Sequence, residues 1–254
     1  LVKVVDPSPL LEDAAGVLVS VKDSVVVIGA VAVEVALDSV PAAITPTRDV
    51  DLVVGTEQVE KVIRHLEDAS LKPSEVKYER GFTWVRGDLK VQLIRGFHPF
   101  PPAVGAGLPV NPTAELARDP VHREAVAFVA APDQPALWVA NAACLIALKQ
   151  HAFGRTRPTG DGASSTVVGE TVRRDFHDVY SLIAHVPEEV VETYEAAGGA
   201  VRERVRIAVT RLAAQDDEAV RLAAAEMVAL GESEGQREAE ATILRGARMF
   251  EGRL

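Results

Sequence analysis

Apolar and polar positions in the first hundred residues follow two different periods. "SVVVIG" (24–29) is an unbroken β-branched run closed by a glycine, which predicts a short buried strand. The next stretch, "AVAVEVAL" (30–37), fits either a continuation of that strand or an Ala-rich helix opening after Gly29. "RDVDLVV" (48–54) predicts a strand with Val50, Leu52 and Val54 on one face. "TEQVEKVIRHLEDAS" (56–70) has helical spacing, with Thr56 as its expected cap and Val59, Val62, Ile63 and Leu66 as its apolar stripe. "GFTWVRGDLKVQLIRG" (81–96) predicts a β-hairpin turning at Gly87–Asp88. The front of the chain therefore reads as mixed α/β, with roughly four strands and two helices.

The pattern changes after residue 96. "FHPFPPAVGAGLPVNP" (97–112) is rich in Pro and Gly and predicts a connection between two halves, with no chemistry assigned to it. "EAVAFVAAP" (124–132) offers one more strand, and "PALWVANAACLIALKQHAF" (135–153) predicts a mostly buried helix. "RPTGDGASST" (157–166) predicts a flexible loop. "ETVRRDFHDVYSLIAHV" (170–186) predicts an amphipathic helix, and Ala-rich helices with charged faces follow to the end. The expected class is α+β, with an α/β domain over 1–110 and a mainly helical domain over 111–254.

Composition narrows the function classes. A 254-residue chain that is 48% hydrophobic and 25% charged can bury a sizeable core and is not a disordered segment. Its net charge of -10 argues against a protein that coats nucleic acid non-specifically, while leaving room for a local basic groove. The single cysteine, Cys144, rules out an intrachain disulfide and a multi-cysteine zinc site, and its apolar surroundings predict a buried small side chain. No histidine pair has zinc-ligand spacing. No apolar run reaches membrane-spanning length, and the start lacks a basic region followed by an apolar one, so the expectation is a soluble, cytoplasmic protein without membrane contact.

The strand "RDVDLVV" raises the chemical question. Asp49 and Asp51 are two apart and project from one face, with carboxylates about 5–7 Å apart on strand geometry. Like charges at that distance are either two solvated acids on a strand edge or ligands for a hard divalent cation such as Mg²⁺. Gly29, at a strand-to-helix junction just upstream, would let a phosphate approach the backbone and the free N–H groups of the following helix. A dinucleotide fingerprint is excluded, because "GAVAVE" carries one glycine where three are required.

A strand ending in a small residue, a helix, and then D-h-D-h on the next strand resembles the signature of the DNA-polymerase-beta-like nucleotidyltransferase superfamily. Thr47-Arg48-Asp49-Val50-Asp51-Leu52 is similar to the T-K-D-h-D-h form of the AbiEii/MenT type of nucleotidyltransferase toxin. That type also carries a lysine in an apolar helix, a basic loop, and a K-D-x-x-D-h-y-x-L helix. The matching residues are Lys149 in "LIALKQHAFGRTR" and then Arg174-Asp175 and Asp178-Val179-Tyr180 in "RRDFHDVYSLI", so the resemblance spans about 24–186. Two positions depart from it. Ala30 supplies no hydroxyl after Gly29, and Gln92 stands where a third metal carboxylate is common, leaving Asp175 as another source of that acid.

The resemblance implies a nucleotidyltransferase-type mixed β-sheet with flanking helices, followed by a C-terminal helical bundle. It implies a Mg²⁺-dependent enzyme that transfers an NMP from an NTP to an acceptor hydroxyl. Asp49 and Asp51 would hold the metal, and Asp49, Asp51, Lys149 and Asp175 would form the catalytic set. Gly29, Ala30, Arg48 and Lys149 would bind the nucleotide. The implied acceptor is the 3′ end of tRNA, with the protein acting as a toxin beside a cognate antitoxin. The alternatives are an enzyme that modifies an antibiotic or a protein, and a catalytically degenerate nucleotidyltransferase-fold binding module. Lys149 alone also reads as a lysine snorkelling near a helix end, and Asp175 and Asp178 as surface acids near a helix start. Arg155, Arg157, Arg173 and Arg174 read either as an RNA or nucleotide approach path or as solvated charges.

Overall fold

The computed structural model describes residues 2–38, 49–76, 81–95, 113–130, 136–153, 165–215 and 217–254, with 151–153 and 165–171 described by backbone alone. Arg48, the 97–112 connection, Arg155 and Arg157 lie outside these residues. The described chain is α+β and divides into two compact units, at Asn141/Ala142.

The first unit is built on one mixed sheet. Its strands are β1 (Val2–Val5), β2 (Val25–Ile28), β3 (Asp49–Val54), β4 (Lys72–Pro73), β5 (Thr83–Arg86), β6 (Leu89–Arg95), β7 (Arg123–Phe128) and β8 (Leu137–Ala140). Their spatial order is β1-β7-β8-β2-β3-β6-β5-β4. Helices α1 (Pro9–Leu18), α2 (Gly29–Ala36) and α3 (Val59–Asp68) belong to this unit. The sheet reaches beyond residue 110, because β7 and β8 pair with each other and, in parallel, with β1 and β2. The compact division therefore falls some thirty residues later than the expected boundary at 110/111.

Local chemistry explains most of these elements. β2 lies mid-sheet between β8 and β3 and is buried at all four residues, which is why it reads as continuous Val/Ile. β6 alternates, with Leu89, Val91 and Leu93 in the core and Lys90 and Gln92 on the more open face. The hairpin turn at Gly87–Asp88 uses φ +56° at the glycine. Ser8 caps α1 by accepting from the Leu11 N–H, with Pro9 in the first turn. "AVAVEVAL" resolves as α2, closed at its C-terminal end by Lys3 Nζ donating to the Ala36 carbonyl at 3.0 Å.

Two expectations are corrected. Thr56 makes no capping hydrogen bond; a 3-10 turn over Thr56–Gln58 leads into α3 instead, where Val59, Val62 and Leu66 of the expected stripe are buried and Ile63 is half-buried. The single helix expected over 135–153 is a strand followed by a helix. Leu137–Ala140 pair as β8, held by Trp138, whose indole N–H donates to Asp23 at 3.1 Å beneath the Arg123 guanidinium.

The second unit contains six helices among the described residues: α4 (Ala142–Phe153), α5 (Ser165–His185), α6 (Pro187–Ala196), α7 (Gly199–Ala213), α8 (Glu218–Ala229) and α9 (Gln236–Glu251). Helix α5 packs on α4, α8 and α9, and α7 packs on α4 and α9. Phe176, Val179, Leu182, Val205, Val209, Leu212 and Ile243 fill the interior, and Cys144 is buried as expected. No helix of the described residues is long and apolar enough to cross a membrane. Truncating Leu93, fully buried on β6, to alanine is expected to cost about 2–5 kcal/mol, read as a lower midpoint in urea unfolding of the first unit.

Candidate functional site

The chemistry of the first unit gathers where β2 gives way to α2. β2 and β3 run antiparallel with Ile28 opposite Asp51, so the residue after Ile28 meets the Asp51 side chain. That residue is Gly29, at φ +73°. A Cβ built on it would fall 2.2 Å from Asp51 Oδ2 and 3.1 Å from Asp51 Cβ and Cγ. Glycine is thus favoured twice, by its left-handed backbone and by the close approach of Asp51. The structure brings Gly29 and Asp51 together as the sequence suggested, with Ala30 next in α2.

Asp49 and Asp51 occupy one face of β3, both partly exposed, while Val50 and Leu52 are fully buried on the other. β6 runs parallel alongside, with Lys90 opposite Asp49 and Gln92 opposite Asp51. Gln92 Nε2 donates to Asp49 Oδ2 at 2.8 Å, and Lys90 Nζ lies 3.9 Å from the same oxygen. One strand further, Thr83 stands opposite Gln92 and so shares its face; its hydroxyl is buried and has no hydrogen-bond partner. Gln92 therefore joins the acidic pair as a hydrogen-bonding neighbour, where an acid was sought. Lys90 had no signal in the sequence, because its partner is forty-one residues away and only the β3–β6 register joins them.

This donor set fits Mg²⁺ in one specific sense. Among the described residues no group of three or more His, Cys, Asp or Glu side chains gathers to hold a metal. Magnesium, however, commonly takes one or two protein carboxylates and completes its octahedron with waters and phosphate oxygens. Asp49 and Asp51 supply that minimum. The orphaned Thr83 hydroxyl adds a polar group on the same face.

The expected residues of the second unit form a different arrangement. Lys149 of α4 donates to Asp175 Oδ1 at 2.7 Å and to Asp178 Oδ2 at 2.6 Å, both on α5. All three side chains are at least 88% buried, which distinguishes them from surface charges and from a snorkelling lysine. Burial alone pushes the Lys149 ammonium toward its neutral form, but the two carboxylates outweigh it and hold its pKa above the ordinary lysine range. The acids are three apart on one helix face, so one lysine can bridge both.

The arginines before this triad are also engaged. Arg173 Nε and Arg174 Nε lie 3.7 Å and 3.6 Å from the two oxygens of Glu226, a buried acid of α8. Glu226 escaped the sequence reading because it sits in an ordinary Ala-rich helix. His177 is fully buried and its Nε2 meets Glu232 at 3.0 Å, an internal pair without metal-ligand company among the described residues. Compared with family models, curated proteins and solved structures, the chain finds no match in any of the three.

Two outcomes follow. Gly29→Ala is expected to lower stability by at least about 1–2 kcal/mol from its backbone conformation alone. The double variant Gly29→Ala/Asp51→Gly should recover the part due to collision but not the conformational part, as read in thermal melts. Lys149→Met leaves two buried carboxylates facing each other and should cost about 3–5 kcal/mol in urea unfolding. Because the folded pKa of Lys149 is raised, its contribution is complete below the unfolded value of about 10.4 and is lost only as pH rises through the folded value. Wild-type stability should therefore show no loss from Lys149 between pH 7 and pH 9, as read in urea unfolding at the two pH values.

Proposed function

We propose that this protein is a Mg²⁺-dependent nucleotidyltransferase that moves an NMP from an NTP to an acceptor hydroxyl. The observation that carries the reading is the close approach of Gly29, where β2 gives way to α2, to Asp51 beside Asp49 on β3, the next element among the described residues. The D-h-D-h resemblance calls for that order of elements. The C-terminal helices would then form the helical bundle of the AbiEii/MenT arrangement.

In this reading Asp49 and Asp51 hold Mg²⁺, which would neutralise triphosphate charge and favour the deprotonated acceptor hydroxyl. The chain supplies alignment. The start of α2 has no side-chain cap, so its free backbone N–H groups would meet phosphate oxygens. Gln92 orients the Asp49 carboxylate through its hydrogen bond. Arg48, preceding the pair, would contact the nucleotide. A triphosphate role for Lys149, or a proton-accepting role for Asp175, requires a ligand oxygen or hydroxyl to replace one partner within the triad. By resemblance the acceptor is the 3′ end of tRNA, and the protein is a toxin restrained by a cognate antitoxin.

One observation favours a second acceptor class. The positive charge of Arg173 and Arg174 is partly offset by Glu226, and the chain carries net charge -10, so a cationic small molecule such as an aminoglycoside suits the protein better than RNA. Incubation with labelled NTPs, tRNA, aminoglycosides and lysate proteins separates the readings. Label is expected on an acceptor with wild-type protein and is expected to be lost with Asp49→Ala and with Asp51→Asn. Full transfer by Asp49→Ala would remove the metal assignment, and label on a small molecule alone would reject the toxin reading. Absence of turnover together with retained NTP binding would leave a degenerate binding module.

A further inference from the structure

We propose that Lys90 is a substrate-binding residue, an exchangeable counter-ion that holds Asp49 until a divalent cation arrives and then turns to the phosphates of the bound nucleotide. The proposal rests on the reading of Asp49 and Asp51 as a cation seat. Lys90 is opposite Asp49 in the β3–β6 register, and its ammonium lies 3.9 Å from Asp49 Oδ2. Gln92, two residues along the same strand and on the same face, makes the shorter contact with that oxygen at 2.8 Å. The amide thus fixes the carboxylate, while the lysine contributes charge from the outer limit of ion pairing.

Two physical consequences separate this arrangement from a passive cross-strand pair. First, Lys90 and a divalent cation compete for one oxygen. The lysine lowers the repulsion between Asp49 and Asp51, and a bound dication both replaces that service and repels the ammonium. Second, the displaced ammonium has somewhere to go. Its side chain is 27% exposed, on a four-carbon stem with three donors, on the same sheet face. A metal–triphosphate complex keeps net negative charge, and its phosphate oxygens would be the nearest unsatisfied anions. A lysine of this kind weakens binding of the bare ion and strengthens binding of the metal–nucleotide complex, so its removal has effects of opposite sign on the two ligands.

The test measures binding without turnover. Mn²⁺ alone is titrated into wild type, Lys90→Met, Lys90→Arg and Asp49→Ala, following free Mn²⁺ by its paramagnetic resonance signal. A non-hydrolysable NTP analogue is then titrated calorimetrically at saturating Mn²⁺. Methionine keeps most of the stem and removes the charge, and thermal melts confirm that each variant is folded. Lys90→Met is expected to bind Mn²⁺ about three- to tenfold tighter and the analogue about tenfold weaker, as for loss of one charge-assisted contact. Lys90→Arg should retain tight analogue binding. Unchanged or weaker Mn²⁺ binding by Lys90→Met overturns the proposal, and so does unchanged analogue binding. If those failures occur while wild type binds both ligands and Asp49→Ala binds neither, the cation seat stands and only the role of Lys90 falls. If wild type binds neither ligand, the seat itself falls and the proposal with it.

Discussion

The β2–β3 pairing is the constraint on which the first unit's chemistry depends. It sets Ile28 against Asp51 and so forces the following residue into the space beside a carboxylate. A residue without a Cβ fits best there, at φ +73°, and the chain then turns at once into α2. Strand register, the start of a helix and the position of an acid are thereby fixed by one antiparallel contact. Shifting the register by one residue would carry Asp49 and Asp51 into the core and Val50 and Leu52 out of it, an exchange whose cost makes the observed alignment secure.

The two units handle charge in opposite ways. On the sheet, two acids on one face are moderated from the side by Lys90 and Gln92, and the side chains of Asp49 and Lys90 keep contact with water. Among the helices, a lysine is enclosed between Asp175 and Asp178. Removing a member of the enclosed set strands a charge in a low-dielectric interior, so that set resists change and fixes how α4 lies on α5. The open set tolerates exchange of partners, because water screens each step. Openness of that kind is what a site for a charged ligand needs, and it is the physical reason for siting the proposed chemistry on the sheet.

Strong periodicity made much of the fold legible. β2, β3 and the β5–β6 hairpin follow from β-branched runs and a Gly-Asp turn, and α3 follows from its apolar stripe. β8 was hidden because "PALWVANAACLIALK" is apolar without a break, and a short buried strand then carries no period of its own to set it apart from the helix behind it. β1 is four residues long and gave no separable pattern. Asp49, Asp51 and Gly29 were visible as a motif, since their spacing is local. Lys90, Glu226 and the orphaned Thr83 hydroxyl were not, because each gains its meaning from a partner on another strand or helix.

The place of the acids on β3 also bears on how the site can move. β3 lies inside the sheet, hydrogen-bonded on both sides to β2 and β6, over a face that is wholly buried. Amides in such strands exchange with solvent only through the largest unfolding events, whereas loops and edge strands open far more often. The carboxylates therefore ride on an interior strand, whose amides are expected to exchange slowly. Adjustment to the proposed ligand would fall to the side-chain rotors of Asp49, Lys90 and Gln92, which turn in nanoseconds or less where they are exposed.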